Sequence, residues 1–449
     1  MSTHRLFSVL AVLVVVAMLF TACAPAAAPA APPSPVPAQP TPAPAAPVTI
    51  EWWHITTVDP GKTLWQDMAN EYMAKHPNVK INITILENEA FKTKLTTVMQ
   101  GGTPPDIFQS WGGGTMNDQI TAGMLKDITA DLDANGGAWR NTFAPGALAV
   151  YAKDGKNYGV PWDMGIVSWW YNKDLFTQAK IANPPTTWTE LLADVKTLKA
   201  AGITPISLGE KDSWTGMHIW SYLATRICGQ AGFLAAAGRT GAFTDPCFVE
   251  AGKKLQDLIA LQPFQSGFLG ASHDDMQGNF GNGKAAMELS GQWAPGSEAG
   301  QAADKKGVAN LGMFSFPAVE GGAGAVTDVM GGGNGFAIGK NASPEAIDFV
   351  KYLTSAENQA RVAASGGGIP VVKGGEVGLT QADTKANPNM VVVQQTFAAA
   401  KYFQLYYDQY MPSAMGSIIN DAVAGLYAGT STPEKVAQAI EDGAKQILK

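Results

Sequence analysis

Aromatic and polar side chains stand together where several predicted strands end. Trp53 and His54 end the first predicted strand, Ser110 and Trp111 end the third, and Trp214 follows a later one. An aromatic face offers a flat apolar surface, while imidazole and hydroxyl groups form hydrogen bonds. This combination suits the binding of a small molecule that has both apolar faces and polar groups. Burial in the core is the alternative for each residue, and we expect it for Trp53 if the strand alternates.

Motifs for other kinds of chemistry are weak or missing. The segment GNFGNGKA from Gly278 has the spacing of a phosphate-binding loop, but Ala285 stands where Ser or Thr is required. The sequence contains no Gly-x-Ser-x-Gly, His-Glu-x-x-His or Cys-x-x-Cys motif. We interpret the segment HDD from His273 as a solvated loop rather than a metal site. We therefore expect a binding protein that needs no metal and no cofactor.

The composition limits the class of partner. The chain has 449 residues, of which 46% are hydrophobic, so it is long enough for two or three domains. Charged residues make up only 15% and the formal net charge is -7, which gives no basic surface for nucleic acid. Tryptophan occurs 12 times, an excess that aromatic binding surfaces would explain.

The N-terminus predicts export. His4 and Arg5 precede an apolar run over residues 9–20, which is shorter than the roughly 20 residues that a membrane span needs. We therefore predict a signal peptide over residues 1–22. The segment LFTAC resembles the bacterial lipobox, with Phe20 in place of the usual Leu, and implies that Cys23 is lipid-modified. A plain secretory signal or an uncleaved anchor is the alternative.

The segment that follows Cys23 predicts a tether. Residues 24–47 consist mainly of Ala and Pro, and so many prolines disfavour both helix and sheet. With few large apolar residues the segment cannot form a core. We predict that residues 23–47 hold a folded domain away from the outer face of the cell membrane.

Cys228 and Cys247 lie in the part of the chain that we predict to be exported. In an oxidising compartment such a pair is expected to form a disulfide, and two free thiols are the alternative. The bridge would close a loop of about 20 residues and would have a structural role.

Strands and helices alternate along the exported part. VTIEWWHI reads as a strand, a helix with apolar positions Leu64, Met68 and Tyr72 follows, and VKINITIL alternates as a second strand. We further predict a helix in TTWTELLADVKTLKAAG, strands in ITPISLG, GKAAMELSGQW and NGFAIGK, and one helix through SPEAIDFVKYLTSAENQARVAAS. Such alternation indicates an α/β fold in which parallel strands are covered by helices.

Several separated motifs carry a family resemblance. GTPPDIFQSW, YGVPWDMGIVSWWYNKDLF, PPTTWTELLADVKTLKAAG, FGNGKAAMELSGQW, NGFAIGKNASPEAIDFVKYL and GGGIPVV occur in this order. In order and spacing the chain resembles the extracellular solute-binding proteins of carbohydrate ABC importers, to which the maltose-binding protein belongs. The likeness extends from about Val48 to the C-terminus.

The resemblance implies a two-lobed, type II periplasmic-binding-protein-like fold. Each lobe would be a mainly parallel sheet covered by helices, with the ligand cleft at the hinge between the lobes. The implied N-terminal lobe comprises residues 48–158 and 313–367, and the C-terminal lobe comprises residues 159–312 and 368–449.

The resemblance also assigns site residues. Trp293 matches the aromatic residue that stacks on a sugar ring, Asp163 matches an acid that binds sugar hydroxyls, and its neighbour Trp162 lies at the same crossing between lobes. Asp408 and Gln409 resemble a segment of oligosaccharide-binding members. Independently of the family, Gly333 and Asn334 would let the backbone approach a ligand, or would simply turn the chain.

Together these patterns predict a non-enzymatic, lipid-anchored receptor that captures a mono- or oligosaccharide. By the resemblance it would act as a monomer and deliver the sugar to the permease subunits of an ABC importer. A secreted glycoside hydrolase is one alternative, because paired carboxylates and aromatic surfaces would give a similar composition. A binding protein for a peptide, a polyamine or another non-sugar solute is the other.

Overall fold

The computed structural model describes residues 46–380 and 388–448. The predicted signal peptide, Cys23 and residues 24–45 lie outside these ranges. The described strands are β1 (Val48–His54), β2 (Val79–Ile85), β3 (Ile107–Ser110), β4 (Ala152–Lys153), β5 (Lys156–Asn157), β6 (Gly159–Pro161), β7 (Gly165–Ile166), β8 (Ser168–Asn172), β9 (Met287–Ser290), β10 (Leu311–Phe314), β11 (Val329–Gly332), β12 (Gly335–Ile338) and β13 (Phe403–Leu405).

Helices cover most of the remaining chain. They are α1 (Gly61–Lys75), α2 (Asn88–Gln100), α3 (Gly113–Thr121), α4 (Thr129–Gly137), α5 (Pro145–Ala149), α6 (Lys173–Gln178), α7 (Trp188–Ala200), α8 (Trp214–Ala237), α9 (Pro246–Ala260), α10 (His273–Gly281), α11 (Ala294–Gln301), α12 (Pro344–Leu353), α13 (Ala356–Ala364), α14 (Asn389–Ala399), α15 (Tyr407–Tyr410), α16 (Ser413–Tyr427) and α17 (Pro433–Ile447). Short 3-10 turns lie at Arg140–Thr142, Glu210–Asp212, Phe268–Gly270 and Gly375–Thr380. No helix in the described ranges is both long and apolar enough to cross a membrane.

The first sheet has the strand order β2-β1-β3-β12-β6. β1 runs parallel to β2 and β3, as the strand–helix–strand pattern predicts. β12 belongs to a later part of the chain and runs antiparallel to β3 and β6. A hydrophobic core lies against the sheet and includes Ile50, Trp52, Val160, Phe336 and Phe349.

The other strands do not form the mainly parallel sheet that we expected. β8 pairs antiparallel with β9 and β10, whereas β11 pairs parallel with β13 and antiparallel with β7. The predicted strand ITPISLG is reduced to isolated parallel bridges from Ile206 to Phe264 and Met287. Pro205 has no N–H to donate, which limits the pairing of this segment. A second, separate core here includes Trp169, Trp220, Tyr222, Phe316 and Met415.

Three chain segments pass side by side between these sheets. The first follows β6 and contains Asp163, the second joins β11 to β12 through Asn334, and the third contains Pro370. The amide of Asp163 donates to the carbonyl of Asn334 at 3.2 Å, and Asp163 forms an isolated bridge with Pro370. Three adjacent crossing segments are the arrangement that a hinge between two lobes requires. The residue numbers that we gave for the lobe boundaries stay a prediction.

The predicted helix over residues 344–364 is wrong as a single element. It divides into α12 and α13, and Ser355 is the N-cap of the second. The Ser355 hydroxyl accepts a hydrogen bond from the amide of Asn358 at 3.3 Å, which satisfies a donor that would otherwise be unpaired. The capping box that Thr187 and Glu190 form at the start of α7 agrees with the predicted beginning of that helix.

The predicted disulfide between Cys228 and Cys247 is confirmed. It joins α8 to the first turn of α9, with the two Cα atoms 5.1 Å apart. The bridge therefore holds together two helices of the second core.

Candidate functional site

A cleft opens beside the three crossing segments, and Asn334 of the second segment is part of its lining. It contains about 1180 Å³ free of protein atoms, part of which is open to solvent. Its lining is drawn from widely separated parts of the chain, namely residues 55–61, Glu87, Asn88, Lys92, Gln109, Trp111, Trp162, Trp214, His218, His273, Asp274, Trp293, Gly296, Ser297, Asn334, residues 365–367, Tyr406, Asp408 and Gln409. A concave site lined by aromatic rings and a few polar side chains is typical of small-molecule binding.

The ends of strands place several of these residues. Ile55 follows β1, Trp111 follows β3, and Trp293 comes three residues after β9. Ligand sites in α/β proteins commonly lie at the carboxyl ends of strands, because loops from neighbouring strands meet there. The two sides of the cleft therefore each contribute a tryptophan.

Five aromatic side chains form a closed ring of contacts on one wall. Trp214 lies 5.2 Å from His218, His218 lies 5.0 Å from Tyr406, and Tyr406 lies 6.4 Å from Trp293, all between ring centroids. Trp293 lies 6.4 Å from His273, and His273 lies 4.9 Å from Trp214, which closes the ring of contacts. Because each ring is held by two neighbours, the wall is preorganised for an apolar face of a ligand.

Trp293 is partly exposed at this wall, in keeping with the stacking role that we predicted. Its Nε1 donates to Nε2 of His273 at 3.3 Å. A Cβ at Gly291 would overlap the six-membered part of the indole, so the missing side chain makes room for the ring. Gly291 and His273 together fix the orientation of Trp293.

The interpretation of HDD as a solvated loop is wrong. His273 is the first residue of α10, whose N-cap Ser272 forms a capping box with Asp275. The amide of His273 also donates to the carboxylate of Asp212 at 2.6 Å. These bonds hold His273 against the aromatic wall. Within the described ranges, no three His, Cys, Asp or Glu side chains gather as a metal site would require.

Asp163 lies beneath the cleft and is not part of its lining. It is fully buried, and its carboxylate accepts from Nε2 of Gln292 at 2.8 Å and from the amide and Nδ2 of Asn334 at 2.6 and 2.9 Å. Burial raises the pKa of Asp163 to about 7, although these hydrogen bonds oppose the shift. Asp163 thus positions Asn334 and Gln292 through three hydrogen bonds. Because Asp163 does not line the cleft, its predicted direct contact with a ligand has no support in this geometry.

Gly333 also lies behind the surface of the cleft. A Cβ there would overlap the carbonyl oxygen of Asp163, so only glycine lets the first two crossing segments approach this closely. Asn334 itself lines the cleft, and its Oδ1 accepts from Nε2 of Gln109 at 2.7 Å.

His54 and Ser110 support the loops of the cleft from below. Nδ1 of His54 accepts from the amide of Thr56 at 3.2 Å, and the Ser110 hydroxyl accepts from the amide of Gly112 at 3.1 Å. Burial lowers the pKa of His54 to about 4, so the imidazole is neutral at pH 7. Neither side chain lines the cleft, whereas Trp53 belongs to a hydrophobic cluster, as expected of an alternating strand.

The remaining predicted residues do line the cleft. They are Trp111, Trp162, Trp214, Asn334, Asp408 and Gln409, in addition to Trp293. Trp162 packs edge-on against Trp65 at 5.4 Å, so it serves both the core and the cleft. Asp408 accepts from Nδ2 of Asn420 at 3.4 Å, and burial raises its pKa. Whether each of these residues contacts a ligand stays a prediction.

Sequence reasoning missed Lys92 and His218. Lys92 pairs with Glu89 at 2.8 Å and lies 5.6 Å from the ring centroid of Trp111. His218 stands four residues after Trp214, one turn further along α8, so the spacing of the two aromatic rings was a usable signal. The sequence of α2 gave no reason to predict that Lys92 lines the cleft, because its pattern does not distinguish Lys92 from a lysine exposed to solvent.

A family model and a curated relative both match most of this chain. A family model described as bacterial extracellular solute-binding protein matches residues 55–360. A multiple sugar-binding protein of Streptococcus mutans is 26% identical over 330 residues, which cover 68% of this chain and 71% of that protein.

Solved structures agree along most of the chain. One, from a study of xylan utilization by the thermophilic bacterium Caldanaerobius polysaccharolyticus, has a TM-score of 0.81 and 29% identity and covers 88% of this chain and 99% of its own. A chitin oligosaccharide binding protein has a TM-score of 0.80 and 26% identity, with coverage of 89% and 99%. This likeness confirms the predicted two-lobed α/β fold class.

Proposed function

The chain belongs to the bacterial extracellular solute-binding proteins, and from this premise we propose that it is a receptor for an ABC importer. In this proposal the cleft captures a sugar, and the loaded receptor delivers it to the permease in the membrane. The sugar-binding names of the relatives support this assignment.

The single observation that carries the proposal is the aromatic wall beside polar groups. A sugar presents patches of C–H on its faces and hydroxyls around its edge. The partly exposed ring of Trp293 offers a flat surface, and the polar ends of Asn334, Asp408 and Gln409 line the same cleft. The two kinds of surface therefore match the two kinds of sugar surface.

Closure of the cleft provides the signal to the permease in this proposal. Residues on both sides of the cleft, such as Trp111 and Trp293, would contact one ligand only when the sides approach. A ligand that contacts both sides binds the closed state more tightly and shifts the population towards it. The three crossing segments, the first of which contains Asp163, are short, which suits a hinge.

The family consists of extracellular binding proteins, and we propose further that this chain has no catalytic activity. We also propose that it is a monomer anchored by a lipid on Cys23 through the tether of residues 23–47. The hydrolase alternative requires two carboxylates that face one glycosidic bond. Prolonged incubation of the protein with its tightest sugar, followed by product analysis, separates a receptor from a hydrolase.

Titration calorimetry against a panel of sugars, peptides and polyamines tests the function. We expect at least one mono- or oligosaccharide to bind, independently of divalent metal. X-ray scattering on the same samples should show a smaller radius of gyration with sugar. Binding of a peptide or polyamine with no response to any sugar would overturn the proposal, and an unchanged radius with bound sugar would overturn closure.

A further inference from the structure

Five polar side-chain atoms of residues that line the cleft have no hydrogen-bond partner among the described residues. One is Oδ1 of Asn88, and the other four are Nε1 of Trp214, Nδ1 of His218, the hydroxyl of Tyr406 and Oε1 of Gln409; we call the residues of these four atoms the cleft floor. Their residues are only 9%, 3%, 5% and 8% exposed, respectively. Buried polar groups nearly always have a partner, so four of them in one cleft indicate a surface built to bind a ligand.

The cleft floor is continuous. Trp214 and His218 are neighbours on α8, and the imidazole of His218 stacks on the ring of Tyr406 with an interplanar angle of 22°. The amide of Gln409 donates to the carbonyl of Tyr406 at 3.0 Å, which joins the fourth residue to the other three. The four residues therefore form one connected group.

The cleft floor is also uncharged. Burial lowers the pKa of His218 to about 3, so its imidazole is neutral at pH 7. Burial raises the pKa of Tyr406 well above its usual range, and indole and carboxamide groups do not titrate. The cleft floor thus offers hydrogen bonds but no cation.

The charged residues around the cleft floor are mainly acidic. The acidic residues that line the cleft are Asp59, Glu87, Asp274 and Asp408. The basic one is Lys92, which is paired with Glu89. A carboxylate or phosphate that entered the cleft would lose its water and meet this acidic surrounding, which is costly without a paired cation.

We propose that the cleft floor is a subsite for an uncharged, hydroxylated sugar unit and discriminates against anionic units such as uronates and sugar phosphates. A hydroxyl group both donates and accepts, so it can serve the indole N–H of Trp214 and Oε1 of Gln409 alike. The inference rests on the proposed function, because it specifies the class of sugar that the same cleft accepts.

Matched ligands test the discrimination on the full-length exported protein. Each neutral sugar that binds in the calorimetric panel is paired with its counterpart carrying a carboxylate at the terminal primary alcohol, for example glucose with glucuronic acid. We expect the neutral member of a pair to bind at least about tenfold more tightly. Equal or tighter binding of the anionic member would overturn the inference, while the proposed function would stand.

Variants test the residues. Tyr406→Phe removes only the hydroxyl, and we expect the affinity for the neutral sugar to fall roughly tenfold. Tyr407→Phe is the matched control, because Tyr407 is fully buried in the neighbouring core and does not line the cleft. His218→Phe should weaken binding similarly, and His218→Gln, which keeps an uncharged polar group, should weaken it less.

Melting curves establish that each variant folds. If Tyr406→Phe and His218→Phe both bind the neutral sugar as tightly as the parent, the cleft floor is not a subsite. If no sugar binds the parent protein while another solute does, it is the proposed function that fails. The two failures are therefore distinguishable.

Discussion

The carboxylate of Asp163 accepts a hydrogen bond from Nε2 of Gln292 at 2.8 Å, and this bond joins the hinge to the residue beside Trp293. Asn334 donates twice to the other carboxylate oxygen, and Gln109 in turn donates to Asn334. The network thus runs from β3 through two crossing segments to the aromatic wall. A substitution of Asp163, at the centre of this network, should affect both the stability of the protein and the position of the aromatic wall.

Asp163→Asn should change how stability depends on pH. Because burial raises the pKa of Asp163 to about 7 from its ordinary 3.8, the folded state holds a proton where the unfolded chain has lost it. The free energy of unfolding therefore falls as the pH rises from about 4 to about 7, by at most about 1.4 kcal/mol per pH unit from this group. Asn does not titrate, so the variant should lack the decrease in the free energy of unfolding that Asp163 contributes as the pH rises.

Urea unfolding at several pH values between 4 and 8 measures the effect, with the exposed Asp442→Asn as control. The parent should lose stability relative to Asp163→Asn as the pH rises through this window. Parallel profiles for the parent and Asp163→Asn would show that Asp163 titrates normally.

Trp293→Ala should weaken sugar binding by tens-fold. The lost contact of roughly 100 Å² of indole face corresponds to about 2 kcal/mol at about 25 cal/mol per Å². Trp293→Phe keeps a smaller aromatic face and should lose less. Titration calorimetry measures both variants, and unchanged affinity in Trp293→Ala would remove this residue from the site.

Gly291→Ala should weaken binding although Gly291 is not itself part of the cleft lining. The added Cβ would overlap the indole of Trp293, so the ring must move away from its place beside His273. Gly270→Ala is the matched control, because a Cβ at Gly270 meets no atom within 4 Å. The expected result is a clear loss of affinity in the first variant only, and equal affinities would mean that the ring adapts.

Removal of the disulfide should lower stability and leave binding unchanged. The double variant Cys228→Ser/Cys247→Ser opens a loop of about 20 residues, for which chain entropy predicts a loss of roughly 3 kcal/mol in the free energy of unfolding. Neither cysteine lines the cleft, so calorimetry should give the parent affinity. A reducing agent should destabilise the parent and have no effect on the double variant, and the opposite pattern would contradict a structural role.

Cys23→Ser should release the protein from the membrane. The prediction depends on the short apolar run and on the lipobox-like LFTAC, which lie outside the described residues. Cell fractionation with mass spectrometry of the N-terminus measures the outcome. Membrane retention of the variant with an intact N-terminus would indicate an uncleaved anchor instead.

The sequence alone was sufficient for features that depend on near neighbours along the chain. Alternation in VKINITI predicted β2, and the amphipathic pattern of TTWTELLADVKTLKAAG predicted α7, because local patterns decide such elements. The disulfide was also predicted from the sequence, because Cys228 and Cys247 are the two cysteines left once Cys23 is assigned to the lipid anchor. The helix over residues 344–364 failed because the competing N-cap at Ser355 is a side-chain hydrogen bond that residue types alone do not reveal.

Only the tertiary structure decided which polar residues face the cleft. Asp163, His54 and Ser110 have the right chemistry, yet protein donors already occupy their acceptors and they lie below the surface. His218 and Tyr406 meet across nearly 190 residues of sequence to form the cleft floor, so no local pattern could join them. Burial and hydrogen-bond satisfaction depend on contacts between distant segments, and these exist only once the chain has folded.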